Sequence, residues 1–202
     1  MSSKNVIVFD TSDKHIAAAL YRGRENIKTT VESMSKGQAE RLIPLLNEIL
    51  DEAFLSWEDI HRIGVCTGPG NFTGIRISVS AARGLAFGLN IPAIGISSFE
   101  ATLYGSSEND LAILPANKGF YYVGSNPKNA TFASEDFVGS MNKTFIYKSE
   151  PETLLKNIAL LTQEKNQNFR PPTPCYIKPA DASPNAKNCL LYTSDAADDL
   201  LC

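Results

Sequence analysis

The chain is short of the side chains that most reaction chemistry depends on. It has two histidines, His15 and His61, and four cysteines among 202 residues. The histidines lie too far apart for an H-x-x-x-H metal pair. With His15 on a predicted strand and His61 on a short helix, both read as structural or solvated. Cys66, Cys175, Cys189 and Cys202 form no C-x-x-C pair, which excludes a metal knuckle and a dense disulfide framework. Cys66 ends an apolar strand and reads as a buried, inert thiol. No Ser-His-Asp or Cys-His arrangement has a local signature. An excess of positive charge is missing too. The net charge is −3, which argues against broad electrostatic binding of nucleic acid by the chain alone. No apolar signal region opens the sequence, since Met1-Ser2-Ser3-Lys4 leads straight into a strand. No uninterrupted apolar run approaches the length of a membrane span. The expectation is a cytoplasmic protein.

What is present is a hydrophobic content of 43%, enough for one or two small cored domains. Asn5–Asp10, His15–Tyr21 and Asn26–Glu32 read as a β-meander. Ala39, Leu42, Ile43, Leu46, Ile49, Leu50 and Ala53 recur at helical spacing, with Pro44 inside predicting a late start or a kink. Ser56-Trp57-Glu58-Asp59 can cap a short helix. The most telling stretch follows: strand Ile63–Cys66, then Thr67-Gly68-Pro69-Gly70-Asn71-Phe72-Thr73-Gly74-Ile75-Arg76, then a helix to about Leu89. Its glycines allow a tight fold or close approach to a ligand. Thr73 is the expected cap, and the helix N-terminus favours an anion. It is neither a P-loop, because no Lys-Ser/Thr follows the last glycine, nor the dinucleotide fingerprint. From the residues alone, an anion site and a structural tight turn both remain open. Ala93–Ile96, Leu111–Pro115, Phe120–Gly124 and Thr144–Tyr147 read as further strands. Pro151–Gln163 reads as a helix opened by proline, and Gln167–Pro174 as a linker.

Several separated motifs in order, Val6-Ile7-Val8-Phe9-Asp10-Thr11-Ser12, Gln38-Ala39-Glu40-Arg41-Leu42-Ile43-Pro44, the glycine loop, Ala81-Ala82-Arg83-Gly84-Leu85-Ala86 and Ile91-Pro92-Ala93-Ile94-Gly95, resemble the TsaB (YeaZ-type) subunit family of the tRNA threonylcarbamoyladenosine machinery. The likeness covers roughly the first half of the chain. It loosens at Leu114–Tyr122, where the family usually carries an Asp-Ala-Arg-Arg-like turn, and returns at Tyr176–Ala182. From about Lys187 the sequence changes character abruptly, as a frameshifted or foreign end would.

The resemblance implies an α/β fold of the actin/Hsp70/sugar-kinase (ASKHA) type, in two subdomains, the second shortened. Residues 1–104 would form the first, 105–182 the second, and 183–202 an atypical tail, artefactual or disordered. It implies a non-catalytic subunit that binds and stabilises a TsaD-type transferase, with a TsaE-type ATPase as a third partner. Self-association when alone is a further implication, and tRNA would be met only through the complex. No catalytic residue, metal ligand or intrinsic cofactor is expected, with ATP or ADP allowed at the interface of the complex. Candidate phosphate-facing residues are Asp10, Thr11, Gly68, Gly70, Thr73, Gly74 and Arg76, with Arg76 alternatively pairing a carboxylate such as Asp10. Where many relatives carry histidine this chain has Gln38, a poor metal ligand. Candidate interface residues are Leu42, Leu45, Leu46, Ile49, Ile77, Ala81 and Leu85, Leu45 being read as off the main apolar stripe. An active ATPase or small-molecule kinase of the same fold is the alternative, with Asp10 as base. A metallopeptidase is disfavoured by the missing histidine pair.

Overall fold

The computed structural model describes residues 4–116, 119–139, 143–165 and 171–177. Strands β1 (Asn5–Asp13), β2 (His15–Arg22) and β3 (Glu25–Ser33) form the expected meander, and helix α1 spans Gln38–Glu52. A 3-10 turn at Trp57–Asp59 carries a Ser56/Asp59 capping box. Strand β4 (Arg62–Cys66), helix α2 (Phe72–Leu89), strand β5 (Ala93–Ile96) and helix α3 (Ser98–Thr102) complete the first half. The second half runs β6 (Leu111–Pro115), β7 (Phe120–Gly124), β8 (Thr131–Ser134), α4 (Glu135–Gly139), β9 (Phe145–Tyr147) and α5 (Pro151–Glu164).

Two mixed sheets result, ordered β3-β2-β1-β4-β5 and β8-β7-β6-β9. In the first, β1 pairs antiparallel with β2 and parallel with β4, and β4 pairs parallel with β5. Side chains of a strand alternate between faces, and β1 is apolar on both. Ile7 and Phe9 join Leu42, Leu46, Ile63 and Val65 under α1 and α2. Val6 and Val8 join Ile94, Leu154, Leu155 and Ile158 under α5. A strand covered on both faces reads as a continuous hydrophobic run, which is what Val6-Ile7-Val8-Phe9 is. Although the boundary expected after residue 104 groups α5 with the second half, α5 packs on the first sheet. Its last turn is tied there by the buried Arg62, whose Nη1 donates to the carbonyl oxygens of Thr162 and Lys165, each at 2.9 Å.

Two details depart from expectation. Helix α1 starts at Gln38 and continues through Pro44. The proline is exposed, so the Glu40 carbonyl that loses its N–H partner faces water. Strand β8 and helices α3 and α4 have no counterpart in the sequence pattern. They span 4, 5 and 5 residues respectively, too short for a periodic signal to stand out. The atypical tail, and residues 167–170 of the expected linker, lie outside the described residues.

Candidate functional site

The C-terminal end of β1 forms the floor of the candidate site. Asp10 is 1% exposed. Its Oδ1 accepts the Ser12 N–H at 2.7 Å, and its Oδ2 lies 3.5 Å from His15 Nε2. Burial alone would raise this carboxyl, but His15, the nearby charge of Lys148 and Ser12 outweigh it and bring it down to about 2. Lys148 arrives from the second sheet, just past β9. Its side chain is 12% exposed and its Nζ donates to Asp13 Oδ2 at 3.2 Å. Burial disfavours the ammonium, yet the carboxylates of Asp10 and Asp13 hold it charged above the ordinary lysine range. The Thr11 hydroxyl donates to the Gly74 carbonyl at 2.6 Å and is wholly buried. Gln38 is a structural clamp, its Nε2 donating to Asp13 O at 2.9 Å and His15 O at 2.6 Å.

The glycine loop is pressed onto this floor. A Cβ on Gly74 would collide with the Thr11 backbone, and one on Gly70 with the Ser12 backbone. Gly68 sits at φ +90°, with Ile75 and the Cys175 carbonyl against it. The loop is also stitched by backbone bonds, Asn71 N–H to Ser12 O at 2.6 Å and Ser98 N–H to Gly68 O at 2.8 Å. The cap of α2 is Asn71, whose Oδ1 accepts from Gly74 N at 3.0 Å, and not Thr73, which lies inside the first turn. Asn71 so satisfies one of the helix's orphan N–H groups, that of Gly74. Arg76 does not reach Asp10. Its Nε donates to the Tyr176 hydroxyl at 3.0 Å, and its guanidinium carbon lies 4.0 Å from the centre of the Phe72 ring. Those two rings are themselves 4.6 Å apart, and the segment holding Tyr176 is fixed to the loop by Cys175 N–H to Thr67 O at 2.8 Å.

Between the loop, the end of β1 and the facing edge of the second sheet lies a cleft of about 540 Å³. Of the expected phosphate-facing residues, Gly70 and Thr73 line it. Asp10, Thr11 and Gly74 lie beneath its floor, Gly68 is packed behind the loop, and Arg76 stands outside among aromatic rings. Sequence reasoning missed Lys148, Phe72, Tyr122 and Tyr176, all in its walls. Cys66 is buried, and burial together with the Asp10 charge pushes its thiol up to about 12, which removes it as a nucleophile. Among the described residues, no three His, Cys, Asp or Glu side chains group as metal ligands would.

The α1–α2 layer differs from expectation at one end of its candidate list. Leu42, Leu45, Leu46 and Ile49 are each at most 1% exposed, packed on the chain's own sheet. Leu45 is therefore not off the buried stripe; the stripe is wide enough to hold it. Ile77, Ala81 and Leu85 pack only partly against that core. The large apolar side chains this layer leaves in solvent, among the described residues, are Ile43 at 39%, Phe54 at 96% and Phe87 at 91% exposure. Both helices lead from one strand into the next parallel strand, so their C-terminal ends, with Phe54 and Phe87, lie at the same end of the layer.

The two sheets, with helices on both faces of the first and a cleft between them, define an α/β fold of the ASKHA type. Two solved structures share it. YeaZ from Pseudomonas aeruginosa superposes with a TM-score of 0.58 at 22% identity, covering 76% of this chain and 90% of that one. A second structure, described as an uncharacterized protein similar to peptidase YeaZ from Pseudomonas aeruginosa, gives a TM-score of 0.65 at 20% identity and covers 87% of this chain. The family model described as TsaD, tRNA N6-adenosine threonylcarbamoyltransferase, matches residues 30–146. The chain belongs to that family, and within it to the TsaB (YeaZ) type. The TsaB proteins of Bacillus subtilis strain 168 and Escherichia coli K12 are 31% and 29% identical over 122 residues each, or 59% and 58% of this chain. That of Buchnera aphidicola from Schizaphis graminum is 27% identical over 158 residues, 76% of this chain. The chain spans about half the length of the Bacillus and Escherichia relatives, 53% and 52%. No helix among the described residues is long and apolar enough to cross a membrane.

Proposed function

We propose that the chain is a non-catalytic subunit in the synthesis of threonylcarbamoyladenosine beside the tRNA anticodon, docking on a TsaD-type transferase through the outer surface of its α1–α2 layer. A TsaE-type ATPase is the third member of this assembly, ATP or ADP acts where the subunits meet, and tRNA is met through the complex. Alone, the same surface supports self-association. The family membership motivates the role, and one observation carries the surface: Phe54 and Phe87 stand 96% and 91% exposed at one end of that layer. Large apolar side chains exposed together at one end of a layer, and not singly, are what a partner surface covers. The kinase-like alternative needs Asp10 as a base in contact with substrate, whereas this carboxylate is buried against Ser12 and His15.

Co-expression with the TsaD-type subunit of the same source, followed by light scattering, tests the reading. A stoichiometric heterodimer is expected, weakened about tenfold or more by Phe87→Asp or by Ala81→Arg. Two subunits that elute apart at tens of micromolar would overturn it, as would a complex indifferent to both substitutions.

A further inference from the structure

We infer that the chain carries a ligand site at the far end of the first sheet from the cleft, an open trough that takes a small monocarboxylic acid with a short apolar body. This stands apart from the proposed docking on a transferase and does not rest on it.

Strands β1, β4 and β5 run parallel. The residues that lead into them therefore gather at one end of the sheet, opposite the end of β1 where Asp10 lies. There they line a trough of about 490 Å³, inside the roughly 300–1,000 Å³ of small-ligand pockets. Its apolar part comes from Ile60, which is buried, and from Ile91 and Pro92, which are half-buried. Backbone groups around it are already paired. The His61 N–H donates to Asn5 O at 2.9 Å, and the Ile63 N–H to Pro92 O at 3.0 Å. A ligand therefore meets side chains, on a surface formed before it arrives.

The polar ones among them are donors. Lys4 shares the trough and makes no ion pair with a described residue. His61 accepts the Asn5 N–H through Nδ1 at 3.3 Å, so its neutral ring offers a ligand the N–H of Nε2. Asn90 ends α2 in the left-handed conformation, at φ +53°. Its side-chain amide has no hydrogen-bond partner among the described residues. Arg62 also belongs to the wall and is 7% exposed. The carbonyl oxygens of Thr162 and Lys165 that hold its Nη1 are neutral and leave its charge in place. A cation so poorly solvated raises the potential over the trough.

Charge and shape together select the ligand. Two cations and two neutral donors suit an anion, and no acidic side chain lines the trough. The Asp59 carboxylate is taken by the Ser56 N–H and hydroxyl, but its charge reaches His61. That charge opposes a second negative charge on the ligand, so a monoanion fits better than a phosphate. Covering Ile60, Ile91 and Pro92 then requires carbon as well as charge.

Nuclear magnetic resonance decides this, with the 15N-labelled full chain titrated with hexanoate. Hexanol removes the charge, hexylammonium reverses it, and acetate removes the apolar body. Hexanoate is expected to shift the amides of His61, Arg62, Asn90 and Ile91 along one saturation curve, with a Kd on the order of 1 mM. Hexanol and acetate should each bind about tenfold more weakly, and hexylammonium not at all. Lys4→Glu should weaken hexanoate about tenfold, while Lys4→Arg keeps most of the affinity. Asn90→Gly keeps the left-handed backbone and removes the amide, and should lose about threefold. Both positions are exposed, so these variants should fold as the parent does. Hexanoate at about 20 mM that leaves the four amides unmoved overturns the inference. Equal binding of hexanol or of acetate also overturns it, since the trough would then be merely apolar or merely cationic. So does an affinity unchanged in Lys4→Glu.

Discussion

At the scale of single residues, three positions bear loads that can be measured. Arg62 is 7% exposed and its Nη1 donates to two carbonyl oxygens at the end of α5. Replacing it with Met strands those acceptors in the interior. The expected loss is about 2–4 kcal/mol in urea unfolding, since hydrogen bonds from a charged donor are each worth about 1.5–3 kcal/mol. Gly74 has no room for a methyl group above the Thr11 backbone, so Gly74→Ala should cost at least about 3 kcal/mol or abolish folding. Asp10 sets the acid limit. Its folded pKa lies below the unfolded one, so its contribution is present above about pH 4 and is lost as the pH falls toward 2. The shift from 3.8 to about 2 corresponds to something on the order of 2 kcal/mol. Stability measured between pH 5 and pH 2 should fall steeply in the parent and less in Asp10→Asn; equal slopes would show that other carboxylates dominate.

At the scale of elements, the glycine loop and its flanks are legible because their signals are local. Consecutive apolar residues announce a doubly covered strand, and three glycines within seven residues announce a tight connection. The cap is not fixed by sequence, because Thr73 and Asn71 are both good cap residues and only the helix start at Phe72 chooses between them. The small-residue face of α2 is plain in the sequence, and its outer positions are open. A Cβ added at Gly84 would meet nothing within 4 Å, so Gly84→Ala should stabilise the chain by about 0.5–1 kcal/mol through helix propensity, seen as a raised Tm. Lys148 is not legible at all. Its partner Asp13 is 135 residues away in sequence, and nothing in the local pattern after β9 distinguishes a lysine that turns inward from one in solvent. The same holds for Tyr176, whose role depends on where the segment after α5 crosses the loop.

At the scale of the whole molecule, two layers with different tasks emerge. The first sheet, covered on both faces, is a rigid platform. The second sheet meets the first half through the Lys148–Asp13 pair and through Phe99 of α3, which packs with Ala112 and Leu114 of β6. Leu42, Leu45, Leu46 and Ile49 anchor α1 to the platform, so substituting them should destabilise the fold and not selectively the proposed complex. Leu46→Ala is expected to cost about 2–4 kcal/mol in unfolding, whereas Phe54→Ser, at a fully solvated side chain, should leave unfolding within about 0.5 kcal/mol and weaken partner binding. If both changes altered binding alone, the assignment of α1 to the core would be wrong.

Helix α5 closes the lower face of the first sheet although about fifty residues of the second sheet come between it and β5 in the chain. A ribosome making this protein therefore exposes Val6, Val8, Ala17, Ala19 and Ile94 with no cover until residues 151–164 have left the exit tunnel. That face of the opening half stays uncovered while it is made, until α5 arrives.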